Sequence, residues 1–470
     1  MPEKNRVVII GAGIGGLSLG IYLRLNRYET KILEMGHESG GVSVSWKRGE
    51  YIFDGATNWV PGTSPGTSPH KILNEIVDIE KLSLSEPEYF EQVEYRDKLI
   101  TIYNDPEKLR QEMERIAPED KGVIDEFITG VKDFSKANIP MDVTPSLMSI
   151  REKVWFLFKN LRNILLILKW RRNTIDEFSE RFRNSDLRRF IKNIFPSHSY
   201  FSMMGVMVSL GWMCAKSAAY PEGGSNSLID NIEQRYLSLG GELEFNRRVT
   251  EIVVESGRAK GVRCSDGTFY ESDRVVSTAD GYNTLFSMLQ GKYVTKRMKK
   301  RYESMPVFPS IIQLSYGVSK EMSDYPTKIV YLMDKELIAG KDRFTSMIIR
   351  VCSFDPGFAP EGSTSVIVQL RPHDWEYWYR LRSEDREMYE TEKERVSSEI
   401  KGILDTRFEG FSASIESEDV CTPATYIRYT GVYKGSYQGW APVPEMIGHD
   451  LEKELPGLKG FYMGGQWVWP

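Results

Sequence analysis

Arg6-Val7-Val8-Ile9-Ile10-Gly11-Ala12-Gly13-Ile14-Gly15-Gly16, followed by a helical stretch and then Lys31-Ile32-Leu33-Glu34, is the part of the chain whose reading decides the fold. An apolar, strand-like run leads into a turn in which Gly11, Gly13 and Gly16 stand at the G-x-G-x-x-G spacing. Residues without a Cβ are what a tight turn needs where backbone must approach a pyrophosphate. The phosphates then sit on a helix N-terminus. Glu34 closes the second strand, where a carboxylate accepts hydrogen bonds from a ribose 2′-hydroxyl and disfavours a 2′-phosphate. Glycine-rich turns also serve ordinary strand-to-helix connections, but here the strand before, the helix after and the acidic residue beyond all agree with a nucleotide site. These residues point to an α/β, Rossmann-like fold. They argue against NADP and leave FAD and NAD both open.

A chain of 470 residues exceeds a single core and implies two or three domains. Its 61 basic and 66 acidic side chains leave a net charge of −5, so no global field favours nucleic acid. Cys214, Cys264, Cys352 and Cys421 lie far apart without a C-x-x-C pair, as expected of reduced, structural thiols. His37, His70, His198, His373 and His449 form no ligand-spaced cluster, so no metal site is expected. His373-Asp374 and His449-Asp450 have the composition of acid–base pairs, yet adjacent residues on a strand or helix do not face one another. Both pairs are read as structural. No signal peptide precedes the first strand, which makes a cytoplasmic location the expectation.

Glu34 is followed by Gly40-Gly41 and then by Gly49-Glu50-Tyr51-Ile52-Phe53-Asp54-Gly55. This order resembles the flavin-dependent amine oxidase and phytoene desaturase superfamily, whose members follow the ribose glutamate with a Gly-Gly-Arg segment and an apolar-Asp-x-Gly turn. Val42 stands in the arginine's place and removes a charge from that surrounding. The resemblance continues through Tyr220-Pro221-Glu222-Gly223-Gly224-Ser225, a helical pattern from Ser227 to Leu239, Gly240-Gly241, strand-like runs Glu242 to Phe245 and Val249 to Val254, Gly261-Val262, the hairpin turn Asp266-Gly267 and the strand Arg274 to Ser277. Thr422-Pro423-Ala424-Thr425 and Gly435-Ser436-Tyr437-Gln438-Gly439 are similar to phytoene desaturases, carotenoid isomerases and retinol saturases, with Gln438 departing from the pattern. Phe461-Tyr462-Met463-Gly464-Gly465-Gln466-Trp467 resembles the family's final strand, which runs into a glycine-rich turn and a helix aimed at the flavin. The 470 residues do not contain that last motif.

The resemblance implies FAD as the cofactor. It implies a glutathione-reductase-like FAD-binding domain with an inserted mixed sheet-plus-helix substrate domain and a helical subregion that is a candidate for facing a membrane. The cofactor-binding residues it implies are Gly11, Gly13, Ile14, Gly15, Gly16, Glu34, Gly40, Gly41 and Val42. Ala56, Thr57 and Asn58 should approach the flavin ring, Val249 offers its backbone to the adenine, and Ala279, Asp280, Gly465 and Gln466 complete the site. No catalytic side chain is assigned. Hydride chemistry on an unactivated carbon or a polyene needs no strong side-chain base, because the isoalloxazine carries it. The activity implied is FAD-dependent desaturation, saturation or isomerisation of a long apolar isoprenoid or polyene. Two alternatives are a flavin amine oxidase of the same fold and a catalytically silent flavin-fold lipid carrier or scaffold.

The expected organisation is a first FAD-binding part (1–100), a helical or substrate region (101–220), a return to the FAD domain (221–288), a substrate domain (289–420) and a closing FAD segment (421–470). Strand-like pieces are expected at Ser310 to Tyr316, Thr345 to Val351 and Ser363 to Leu370, and a charged helix from Ser383 to Leu404. Within the helical region Val154, Leu157, Phe158, Leu161, Ile164, Leu165 and Leu168 recur at helical spacing beside Lys159, Arg162, Lys169, Arg171 and Arg172. The stretch is too short and too charged to cross a bilayer. It reads either as a helix packed over the substrate cavity or as a surface helix whose apolar face enters an anionic membrane, with contact over 153–172.

Overall fold

A computed structural model describes residues 5–55, 59–141, 143, 147–448 and 451–468. Two sheets organise it. The first is five-stranded and all parallel, in the spatial order Glu242–Glu244, Glu29–Leu33, Arg6–Ile10, Arg274–Ser277 and Phe461–Met463. Val7, Val8, Ile9 and Ile10 are buried at its centre, as a strand covered on both faces requires. The helix Ile14–Leu25 leaves the first strand through the glycine turn and packs on the helix Gly224–Ser238. That packing is close because Gly20 presents no side chain: a Cβ there would lie 2.6 Å from the Tyr236 ring.

The second sheet has seven strands, ordered Ile415–Cys421, Ile312–Val318, Thr364–Leu370, Asp342–Val351, Lys328–Ala339, Tyr89–Tyr95 and Lys98–Tyr103. All its pairings are antiparallel except that between Lys328–Ala339 and Tyr89–Tyr95. Tyr89–Tyr95 therefore joins this sheet rather than the nucleotide sheet with which the sequence grouped it. One face, with Leu314, Tyr316, Ile349, Val366 and Val368, packs under the helices Trp375–Glu384 and Arg386–Arg407. Alternation places Gln313, Ser315, Arg350 and Gln369 on the other face, where they are buried. The charged helix expected from Ser383 breaks at Asp385, whose carboxylate caps Met388 N–H at 3.0 Å.

The region after residue 103 is helical, as expected, with a core of Phe127, Trp170, Phe178 and Phe182. The apolar stripe, however, forms two helices, Ile150–Lys159 and Leu161–Trp170, divided at Asn160, whose amide donates to the Phe156 carbonyl. Trp170 is the one fully buried residue of the two, while Ile164, Leu166, Ile167 and Leu168 are half-buried. Phe158 is 82% exposed, and Val154, Trp155, Leu157, Leu161 and Leu165 are exposed with it. Among the described residues no helix is long and apolar enough to cross a membrane.

Candidate cofactor and active site

The first strand ends where Gly11, at φ +98°, turns the chain away from the sheet, its N–H donating to the Leu33 carbonyl at 2.9 Å. Gly13 is the N-cap of the first helix and supplies no side-chain cap, so the helix N-terminal donors face the space beyond the turn. Gly16 has a different task. A Cβ there would lie 1.9 Å from the Gly11 carbonyl oxygen and 2.8 Å from Thr278 Oγ1, so its bare Cα seats the helix against the turn. Thr278 braces the same corner by donating to the Ile10 carbonyl at 2.9 Å.

Glu34 is buried, and its two carboxylate oxygens accept from Ala12 N–H and Gly36 N–H, each at 2.7 Å. The carboxylate thus ties the glycine turn to the loop after the second strand, and each oxygen retains a lone pair for a further donor. That loop folds back to the turn. Gly40 N–H donates to the Ala12 carbonyl at 2.9 Å, and Gly40, at φ +122°, bridges Gly13.

These elements form one wall of a cavity of about 1090 Å³. Gly11, Gly13, Ile14, Gly15, Glu34, Gly40, Gly41, Val42, Val249, Ala279, Asp280, Gly465 and Gln466 all line it. Gly16 does not, since it packs beneath the turn; Ala56, Thr57 and Asn58 lie outside the described residues, as does the pair His449-Asp450. The last strand reaches the first helix here: a Cβ on Gly15 would stand 3.2 Å from the Gly465 Cα. Asp280 is buried, and its carboxylate accepts from Asn283 N–H and Tyr433 N–H, both at 2.8 Å. Burial pushes its pKa up to about 7 against the opposing pull of those hydrogen bonds.

Sequence reasoning did not single out Arg248, Tyr389 or Tyr426, and noted Gln438 only as a departure from the family pattern; all four line the cavity. Tyr426 sits in the closing segment, whose resemblance marked the region but not this side chain. Tyr389, on the helix Arg386–Arg407, carried no sequence signal at all. At this end burial pushes the Cys421 thiol up to about 12 and raises the Tyr426 phenol, while Arg382, Arg386, Lys393 and Arg428 line the same cavity. His373 and its neighbour act as expected of structure, with Asp374 capping the helix Trp375–Glu384 through Tyr377 N–H at 3.0 Å. Among the described residues no cluster of three metal-ligating side chains occurs.

Parallel sheet, glycine turn and acid-closed second strand define a dinucleotide-binding α/β protein whose cavity is also lined by the second, mixed sheet at Asp419, Val420 and Cys421. The chain belongs to the flavin containing amine oxidoreductase family, whose profile matches residues 14–468. A 4,4′-diapophytoene desaturase (4,4′-diapolycopene-forming) from Methylomonas sp is 23% identical over 459 residues, which cover 93% of this chain and 85% of that protein. The chloroplastic prolycopene isomerase of Arabidopsis thaliana is 22% identical over 452 residues, 93% of this chain and 74% of the isomerase. The crystal structure of an oxidoreductase from Methanosarcina mazei shares the fold, with a TM-score of 0.60 at 17% identity, covering 98% of this chain and 95% of that one. The cofactor is accordingly FAD, and the protein an FAD-dependent oxidoreductase. The residues present fit it: backbone donors at a helix start, a carboxylate with free lone pairs and glycines where a Cβ would narrow the cradle.

Proposed function

We propose that the protein desaturates, saturates or isomerises a long apolar isoprenoid or polyene. One observation carries this reading: the cavity runs from the glycine cradle to a wall that includes Cys421 and Tyr426, whose thiol and phenol burial keeps uncharged. FAD, when bound, would supply the hydride chemistry, and the protein's part is to position the chain-like substrate and exclude water. The desaturases and isomerases among its relatives support the substrate class.

In this reading Gly11, Gly13, Ile14 and Gly15 receive the pyrophosphate, Glu34 the adenosine ribose and Val249 the adenine. Gly40, Gly41, Val42, Ala279 and Asp280 flank the phosphates, while Gly465 and Gln466, with Ala56, Thr57 and Asn58, meet the flavin end. The segments 221–288 and 421–470, with the part of 1–100 that precedes Tyr89–Tyr95, then build the FAD domain, and Tyr89–Tyr95 joins 101–220 and 289–420 on the substrate side.

The test is spectroscopic. Purified holoprotein should show a flavin spectrum, and anaerobic incubation with a polyene of the phytoene type in vesicles should change the polyene absorption as the flavin changes redox state or, for isomerisation, only while the flavin is reduced. No polyene change in any of these modes, with oxygen uptake on an amine panel instead, would move the assignment to an amine oxidase.

We further propose that residues 153–172 contact an anionic membrane, on its cytoplasmic face. Supporting this, Val154, Trp155, Leu157, Phe158, Leu161 and Leu165 are exposed together, beside Lys153, Lys159, Arg162 and Lys169. Lys159 Nζ lies 4.8 Å from the Trp155 ring centre, so cation and aromatic anchor share one patch. Co-sedimentation with phosphatidylserine vesicles tests it.

A further inference from the structure

The cavity wall around Asp419, Val420 and Cys421 is strongly cationic. Arg48, Arg382, Arg386, Lys393 and Arg428 all line the cavity, and they come from four elements: the strand Ser45–Arg48 and the helices Trp375–Glu384, Arg386–Arg407 and Pro423–Thr430. Helical spacing aims them together. Arg386, Tyr389 and Lys393 stand at i, i+3 and i+7 on one helix, and Thr425, Arg428 and Tyr429 at i, i+3 and i+4 on another. Beyond its burial and the neighbouring Asp419, the Cys421 thiol feels Lys393, Arg48 and Arg428, so these three charges lie about one point of the wall.

Carboxylates do not balance these cations. Asp419 holds Arg48 at 3.0 Å, and Glu390 holds Arg386 at 2.5 Å and Lys393 at 2.9 Å. Arg382 and Arg428 have no ion pair among the described residues, and Arg428 rests on the Tyr429 ring at 4.2 Å. By contrast Arg247, which lines the cavity beside Val249, is paired with both Glu244 and Asp266. Five cations against two carboxylates on a concave wall focus a positive potential that an anion neutralises. Their donors are open to the cavity. The Lys393 side chain is 20% exposed, Arg382 is half-buried, and Arg48, Arg386 and Arg428 stand exposed at the rim. Cations on separate elements suit an anion with several oxygens pointing apart, a phosphate or diphosphate, whereas one bidentate guanidinium would serve a carboxylate. Trp46, Val420 and Tyr426 line the same side and offer apolar surface to a chain.

We propose that this cationic wall binds the head group of the substrate, and that the substrate is an apolar chain carrying a phosphate or diphosphate. Lys393, Arg382 and Arg428 take the phosphate oxygens, and Trp46, Val420 and Tyr426 meet the chain. The inference rests on the function proposed above and narrows its substrate class. It gives these cations a role in specificity and none in hydride transfer.

Geraniol, geranyl phosphate, geranyl diphosphate and inorganic pyrophosphate test it on the holoprotein, by calorimetry and by perturbation of the flavin absorption at low and high salt. One of the two geranyl phosphates should bind at least about tenfold more tightly than geraniol at low salt, with the margin narrowing as salt rises. Geranyl diphosphate should also bind more tightly than pyrophosphate, because the chain contributes. An Arg382→Gln/Arg428→Gln double variant should lose most of the margin while geraniol affinity and flavin content persist. Lys47→Gln is the control: Lys47 lies between Trp46 and Arg48 on the same strand, but it is exposed and faces away from the cavity. Equal affinity for geraniol and its phosphates overturns the proposal, and so does a margin that survives the double variant or falls equally in Lys47→Gln. Pyrophosphate binding as tightly as geranyl diphosphate overturns the substrate assignment, since the wall then takes free phosphate. Loss of FAD from a folded double variant assigns the cations to the cofactor and overturns it as well. The wild-type comparison stands even if the double variant does not fold. Polyene turnover without preference for the phosphates sinks this inference alone, whereas that preference without polyene turnover sinks the function reading alone.

Discussion

Gly13→Ala and Gly16→Ala place the same methyl group three residues apart in one turn, and the structure gives them opposite consequences. At Gly16 the new Cβ meets the Gly11 carbonyl oxygen at 1.9 Å, a contact with backbone that no side-chain rotation relieves. The helix must move off the turn, at a cost of about 3 kcal/mol or more for overpacking of this kind. At roughly 2 °C per kcal/mol for a large domain, the apparent melting temperature falls by about 6 °C, in the apo and holo proteins alike. At Gly13 the backbone is ordinary, φ −70° and ψ 174°, and the nearest atom to a Cβ is Gly40 O at 3.8 Å. Alanine there is accommodated by the protein: the entropy gained from the unfolded chain and the loss of a favoured N-cap each amount to under about 1 kcal/mol and oppose one another. The methyl instead stands where a pyrophosphate approaches the backbone, so FAD affinity should drop by about tenfold or more, roughly 1.4 kcal/mol. Thermal melts of apoprotein and fluorescence titration with FAD separate the two effects. A Gly16→Ala protein that melts with the wild type, or a Gly13→Ala apoprotein as unstable as Gly16→Ala, would refute the reasoning.

Glu34→Ala strips the partner from Ala12 N–H and Gly36 N–H together; at about 1–3 kcal/mol per unsatisfied buried donor, it should lower stability and lose FAD on gel filtration, and retention of both would contradict the assigned brace. Asp280 binds its proton more tightly in the folded protein than the ordinary carboxyl value of 3.8, so the stability it contributes is present below that pH and is lost as pH rises through about 7. Relative to Asp280→Asn, wild-type stability in urea should therefore decline between pH 4 and 7 and then level off; parallel curves for the two proteins would exclude the shift. Phe158→Glu, at a position 82% exposed, should leave the melting temperature within about 1 °C, as surface substitutions do, and reduce vesicle co-sedimentation severalfold; unchanged sedimentation would remove the membrane contact.

The nucleotide half of the fold was readable because its determinants are local. Glycines at fixed spacing, an apolar run and one acid specify a turn almost irrespective of the rest of the chain, and Gly11, Gly13, Ile14, Gly15, Glu34, Gly40, Gly41 and Val42 line one cavity, while Gly16 serves packing instead. Glu34 was legible as a carboxylate at the cradle, but not as the clamp on Ala12 and Gly36, since those contacts depend on how the loop returns. The second sheet was less legible. Tyr89–Tyr95 finds its partner in Lys328–Ala339, a pairing across more than two hundred residues that no local pattern encodes. The exposed helices illustrate a different limit: periodicity reveals that an apolar face exists, but not what covers it.

The interleaving of the nucleotide sheet also has a consequence for synthesis. Its neighbours in space come from residues 6–33, 242–244, 274–277 and 461–463, so the central strand waits on one side for Arg274–Ser277, which in turn waits for Phe461–Met463. A nascent chain on the ribosome therefore holds a finished glycine turn with no finished site around it, and exposes Val7 to Ile10 until Arg274–Ser277 emerges. Cofactor loading therefore waits for Phe461–Met463, and a chaperone that shields the first strand should raise the yield of holoprotein more than added flavin does.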